Sequence, residues 1–168
     1  MPKIIENLEG RLKEAARQQI RELGYSAVTI RSVASACGIG VGTVYNYYPS
    51  KDELLASWLL DEWMTCVARI NCAAAEAEEP RTVACCIHEQ LVGYALENRD
   101  VFQDEAAMVS CGGALRRYHK LLRSNLAQPL RRFCNSDFQA EFVSESLLTW
   151  SLAGVEFEVI WSELCKFI

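Results

Sequence analysis

An all-α fold is predicted by three features of the 168-residue sequence. Apolar residues recur at helical spacing along most of the chain. Only 9 Gly and 4 Pro are present, too few for a many-turned β chain. With 51% hydrophobic and 23% charged residues, the chain can bury a core, which excludes disorder as its overall state. No apolar run approaches the roughly 20 residues of a membrane span. The opening stretch MPKIIENLEGRLKEAARQ carries charges throughout and lacks the apolar centre of a signal peptide. The expectation is a soluble cytoplasmic protein.

The first helix is placed over 4–23, from Leu8, Leu12, Ala15, Ala16, Ile20 and Leu23, with Gly24 stopping it. Thr29 is the N-cap of a short helix over 30–36, with Ile30, Val33 and Ala34 inward. Gly38, Gly40 and Gly42 break the chain, and a second short helix follows over about 41–47, ended by Pro49. Ser50 and Glu53 form a capping box that opens a long helix to about 76. Pro80 starts a helix to about 97. Asp100 and Gln103 suggest a cap for a helix to about 109, with Gly112-Gly113 as a break. A helix over about 113–134 is expected to kink or split at Pro129. Ser136 and Gln139 cap a last helix running from 137 to near the C-terminus. That helix has two apolar stripes, one of Val143, Leu147, Trp150, Gly154, Phe157 and Trp161, the other of Leu148, Leu152, Val155 and Val159. One stripe faces its own subunit. The other, Leu148, Leu152, Val155 and Val159, is expected to form a homodimer interface.

The net charge of −5 divides unevenly. Residues 1–51 hold seven basic and four acidic side chains, +3, whereas 52–168 hold ten and eighteen, −8. A basic head on an acidic body points to a polyanion partner for the head alone. The eight cysteines are scattered without a C-x-x-C pair, as expected of reduced thiols packed as small hydrophobes. Cys85, Cys86 and His88 are the densest group, but two ligands on one helix face do not complete a zinc site.

The informative stretch is 26–55, SAVTIRSVASACGIGVGTVYNYYPSKDELL. It reads as helix, glycine turn, helix, the arrangement of a helix-turn-helix whose second helix enters the DNA major groove. Ala34 permits close crossing, Ile39 plugs the turn and Val44 faces inward, leaving Val41, Gly42, Thr43, Tyr45, Asn46 and Tyr47 outward. Asn46 suits bidentate bonding to adenine, and Thr43 a phosphate or thymine methyl. Tyr45, Tyr47 and Tyr48 offer hydroxyls to phosphates. Lys51 with the amides of its helix, and Thr29 with Arg31, are candidate backbone contacts.

These residues resemble the N-terminal domain of the tetracycline-repressor (TetR) family of bacterial transcription regulators. The resemblance covers about residues 4–55. It is carried by Ala16, Gly24-Tyr25, Thr29-Ile30-Arg31, Val33-Ala34, Gly38-Ile39, Gly42-Thr43-Val44-Tyr45, Tyr47-Tyr48, Ser50-Lys51 and Leu54-Leu55. Gly40 stands where the family often has Ser, and Tyr48 where it commonly has Phe. The resemblance implies a three-helix DNA-binding head over 1–49 and a helical ligand-binding and dimerisation body over 50–168. It also implies a repressor released from a palindromic operator by a small molecule. An apolar, aromatic lining suits a hydrophobic or flat aromatic ligand, with Trp63, Tyr94, Met108, Tyr118 and Trp150 as candidate contacts.

Rival readings carry less. Gly38-Ile39-Gly40-Val41-Gly42-Thr43 mimics a phosphate loop, but it follows a helix and its third glycine is misplaced. Only His88 and His119 are present, and neither adjoins a nucleophile motif, so no enzyme and no cofactor or metal is expected. Arg116, Arg117, Lys120 and Arg123 read as a solvated face. The alternatives are a thiol- or metal-responsive regulator with the same head, and a helical interaction module without DNA binding.

Overall fold

A computed structural model describes residues 7–168, apart from the side chains of residues 111 and 113–119. It is helical, without strands among the described residues. The chain forms two compact units that do not follow a single linear boundary. One takes the chain up to Leu60 together with Asn98–Arg116, and the other Asp61–Glu97 with Arg117–Ile168.

The first unit holds α1 (Leu8–Leu23), a 3₁₀ turn at Tyr25–Ala27, α2 (Ile30–Cys37), α3 (Val41–Tyr47), the start of α4 (Lys51–Glu76), α6 (Arg99–Phe102) and the start of α7 (Glu105–Ala127). Leu12, Ala16 and Ile20 of α1 are buried with Val28, Ile30, Val33, Ala34, Val44, Leu54, Leu55 and Leu59. Those positions follow the helical period, and their burial is what holds these short helices, since helices of seven or eight residues are marginal alone. Val101 and Ala107 complete the same core, so the α6–α7 segment belongs with the head rather than the body. Residues 4–6 of the expected first helix lie outside the described residues.

The second unit holds the rest of α4, α5 (Pro80–Glu97), the end of α7, a 3₁₀ segment at Gln128–Phe133, α8 (Asp137–Leu152) and α9 (Phe157–Leu164). Its core joins Ile70, Ile87, Leu91, Leu126, Leu130, Val143 and Leu147. The Arg132 guanidinium donates to the Ala74 and Ala77 carbonyls, satisfying groups left open where α4 ends.

Three expectations are corrected and one is met. Asp104, not Asp100, caps the helix that follows: its Oδ1 accepts the Ala107 amide at 3.0 Å, and α6 is a separate single turn. Gly112-Gly113 does not break the chain, because α7 runs through both. The helix expected over 113–134 does split at Pro129: α7 stops at Ala127, and the proline sits in the first turn of the 3₁₀ segment, where its missing N–H costs nothing. The last helix splits at Gly154, which has φ +77° and lets the Val155 amide reach back to the Trp150 carbonyl at 3.0 Å. Gly154 therefore ends α8 rather than easing a helix crossing, and the two stripes read along one helix belong to two helices.

Candidate nucleic-acid interface

Three local devices set the angle between α2 and α3. Thr29 Oγ1 accepts the Ser32 amide at 3.0 Å while Ser32 Oγ accepts the Thr29 amide at 3.0 Å, a reciprocal cap. Ser32 Oγ also donates to Gln19 Oε1 at 2.6 Å, which ties the start of α2 to α1. At the other end Gly38 lies in the left-handed region, φ +68°, and the Ile39 amide reaches the Ala34 carbonyl at 3.0 Å. Gly40 opens α3 in extended conformation with no side-chain cap. Open space surrounds a Cβ built on Gly38, so only backbone strain opposes one. Gly38→Ala is expected to destabilise the protein by about 1 kcal/mol, read as a lower thermal midpoint.

Val44 anchors α3 in the core. Gly42, Thr43, Tyr45, Asn46 and Tyr47 are exposed, Tyr45 at 53% and Tyr47 at 48%, while Val41 is half-buried. Beside this face lies a depression of about 480 Å³ lined by Thr29, Ile30, Arg31, Val41, Tyr45, Pro49, Ser50 and Lys51. Five of the ten expected DNA-contact residues thus meet around one hollow. It lies at the starts of α2 and α4, where the helix dipoles favour an anion. The Ser50 hydroxyl accepts the Glu53 amide at 3.1 Å and so caps α4.

Tyr48 departs from expectation. Its ring is buried, and its hydroxyl donates to Glu9 Oε1 at 3.1 Å rather than facing a phosphate. Burial pushes this phenol up, and Glu9 is held below the usual carboxylate range chiefly by its bond to Lys13, then by Lys13's charge and Tyr48. Lys51 is half-buried, and its ammonium donates to the Tyr25 carbonyl at 2.9 Å and lies 3.8 Å from the centre of the Tyr25 ring. Sequence reasoning gave no role to Gln19, Glu9 or Asp104, because their partners are remote in the chain. Tyr25 was marked by its Gly-Tyr motif only.

The expected ligand contacts do not all gather. Trp63 is buried and meets Tyr94 edge-on, ring centres 5.6 Å apart. Burial, then the Glu62 charge, pushes the Tyr94 phenol well above its ordinary range. Met108 is exposed and belongs to the first unit. Trp150 is 53% exposed on the outer side of α8. The Tyr118 side chain lies outside the described residues, as do those of His119, Arg116 and Arg117. Of the remaining basic cluster, Lys120 is exposed and Arg123 pairs with Glu145 at 2.7 Å.

Trp150 instead lines an apolar groove of about 450 Å³ with Phe142, Ser146, Val155, Val159, Ile160, Glu163, Leu164 and Phe167. Of the four expected interface residues, Val155 and Val159 line it. Leu152 is exposed outside it and Leu148 is half-buried. The stripe was read along one unbroken helix, and the turn at Gly154 redirects its second half.

Among the described residues no group of three His, Cys, Asp or Glu side chains is placed to hold a metal. His88 Nδ1 pairs with Ser151 Oγ at 2.9 Å, and Cys85 Sγ lies 3.7 Å from Glu89 Oε1. Burial raises the Cys85 and Cys86 thiols and pushes Cys66 from an ordinary value of 9.0 to about 11. A raised pKa favours the neutral thiol in the folded state. The stabilisation from Cys66 is therefore complete below about pH 9 and is lost as pH rises towards 11. Denaturant midpoints across pH 8–11 are expected to fall in wild type and to fall less in Cys66→Ala. Equal slopes would refute the assignment.

Exposed residues on α3, the flanking cationic hollow and the tight α2–α3 turn define a helix-turn-helix DNA-binding head. Residues 12–57 match the sequence model described as bacterial regulatory proteins, tetR family. The head is therefore similar to the N-terminal domain of TetR-family regulators. It is 42% identical over 57 residues to the HTH-type transcriptional repressor KstR of Mycolicibacterium smegmatis, a match covering 34% of this chain and 28% of that relative. The matched segment is thus little more than a quarter of the relative's length. In structure the chain resembles SCO7518 from Streptomyces coelicolor A3(2), with TM-score 0.73 and 14% identity, covering 94% of this chain and 95% of that one. It also resembles RolR in complex with resorcinol, with TM-score 0.61 and 22% identity, covering 94% and 85%. These two likenesses show a shared fold over nearly the whole chain.

Proposed function

We propose that the protein is a dimeric transcriptional repressor that binds a palindromic operator and is released by a small apolar or aromatic molecule. The observation that carries the reading is the α3 face. Gly42, Thr43, Tyr45, Asn46 and Tyr47 have no core to fill, yet they sit beside a hollow flanked by Arg31 and Lys51. Asn46 supplies base readout, while Thr29, Arg31 and Lys51 supply phosphate contacts. Two copies place recognition helices in successive major grooves, roughly 34 Å apart. The repressor name of KstR and the resorcinol complex of RolR support release by a ligand, and the Trp63–Tyr94 pair suits an aromatic one. The effector acts only through a higher affinity for the conformation that does not fit the operator. No catalytic step, cofactor or membrane contact enters this reading, and the protein works in the cytoplasm, where DNA is reached.

The test is selection from a pool of random duplexes followed by sequencing. A palindrome is expected. A folded protein that enriches no motif at low salt would refute the reading. The raised thiols of Cys66, Cys85 and Cys86 disfavour these three as sensing cysteines, because the thiolate is the reactive form.

A further inference from the structure

Tyr25 is buried at the end of α1, and each of its polar groups is held. Its amide donates to Asp104 Oδ2 at 3.1 Å, across 79 residues of sequence. Its carbonyl accepts the Lys51 ammonium at 2.9 Å, and its hydroxyl donates to the Asp52 carboxylate. The same ammonium faces the Tyr25 ring at 3.8 Å. Asp104 is itself fixed, because its other oxygen accepts the Ala107 amide in the first turn of α7. Beside this pair Arg21 Nε lies 3.8 Å from Asp100 Oδ2, a second tie between α1 and the α6–α7 segment. One chain of contacts therefore runs from the first turn of α7, through Asp104 and the Tyr25 peptide, to the lysine at the rim of the cationic hollow.

We propose that Asp104 and Tyr25 are positioning residues for DNA binding: together they hold the Lys51 ammonium at the rim of the hollow, ready for a backbone phosphate. The proposal rests on the DNA-binding reading above. A lysine ammonium has three donors. The Tyr25 carbonyl takes one, the ring face holds the ammonium itself, and the side of the ammonium turned from both is left for phosphate oxygens. A side chain fixed before binding loses less freedom on binding, so the contact is stronger than that of a free lysine. Asp104 acts one step back. By fixing the Tyr25 amide it fixes the carbonyl that Lys51 uses, and it links that carbonyl to α7. Because α7 continues into the second unit, a shift of its first turn reaches Lys51 without any contact between effector and DNA.

The experiment measures affinity for the duplex enriched by wild-type protein, between 50 and 200 mM salt, for Lys51→Ala, Asp104→Ala, the double variant and Asp104→Asn. Lys51→Ala is expected to lose about tenfold and to flatten the log-log salt slope by about 0.9, the loss of one phosphate contact. Asp104→Ala is expected to lose about fivefold with a flatter slope, and less than about twofold in the Lys51→Ala background. Asp104→Asn, which keeps a carbonyl oxygen for the Tyr25 amide, recovers most of the loss. Equal losses in both backgrounds overturn the proposal, and so does no loss at all. A loss with unchanged slope also overturns it, since partial unfolding lowers the competent fraction without removing a phosphate contact. A wild-type protein that enriches no duplex fails the DNA-binding reading itself, whereas wild-type binding with an additive cycle fails only the Asp104–Tyr25–Lys51 link.

Discussion

Replacing Asn46 and Tyr47 together with alanine is expected to lower affinity for the enriched duplex by at least about thirtyfold, taking about 1–3 kcal/mol for each contact. Stability is expected to stay within about 0.5 kcal/mol of wild type, because neither side chain fills the core. The two substitutions differ in kind. An amide that reads adenine discriminates among sequences, so Asn46→Ala alone is expected to relax the preference at one base pair of each half-site. A phenol on a phosphate fixes register, so Tyr47→Ala alone weakens binding almost evenly across sequences. Selection with each single variant checks this split. An unchanged motif with Asn46→Ala would show that another residue reads the bases. Thr43 is then the next candidate, being exposed on the same helix.

The parts of this head that were legible in the sequence are those governed by neighbours in the chain. Thr29 and Ser50 announce their helices, as Ser136 does in the second unit, because a cap acts over three residues. Gly38 announces a left-handed turn, and Val44 the one inward position of α3. What stayed hidden depends on partners far away. Tyr48 looked like one more tyrosine of an exposed run, and only the packing of α1 turns it inward towards Glu9. Asp104 falls inside the helix expected after Asp100, while its partner Tyr25 stands 79 residues earlier. Asp100 and Gln103 offered a cap spacing as good as the real one, and burial of Val101 and Ala107 decided between them. Gly154 could be read as a small residue in a helix or as its end, since both place glycine beside apolar positions, and the positive φ settles which.

Introducing a charge into the α8–α9 groove is expected to separate the proposed dimer. Phe142, Trp150, Val159 and Phe167 are each between 44% and 60% exposed, and all line one groove. Scattered apolar residues are ordinary on a surface, but a contiguous set with an exposed tryptophan suits the self-association face of the proposed dimer. In a two-fold dimer the same patch meets itself, so one substitution acts twice. Val159→Asp places two carboxylates in an interface whose apolar lining cannot pair them. The cost of a buried unpaired charge then weakens association by about a thousandfold or more. The folded monomer should tolerate the change, because Val159 is 60% exposed and contributes little to its own core. Light scattering and sedimentation are expected to show a dimer for wild type and a monomer for Val159→Asp at micromolar concentration. Val109→Asp, at a site 79% exposed on α7, should remain dimeric. Loss of the dimer has a second consequence at the operator. Two linked heads see their second half-site at an effective concentration of millimolar order, so uncoupling them lowers affinity for the full palindrome by about 10²–10⁴ while a single half-site is bound as before. A Val159→Asp protein that stays dimeric would remove the groove from the interface. One that becomes monomeric yet binds the palindrome unchanged would break the link between dimerisation and operator symmetry on which the repressor reading depends.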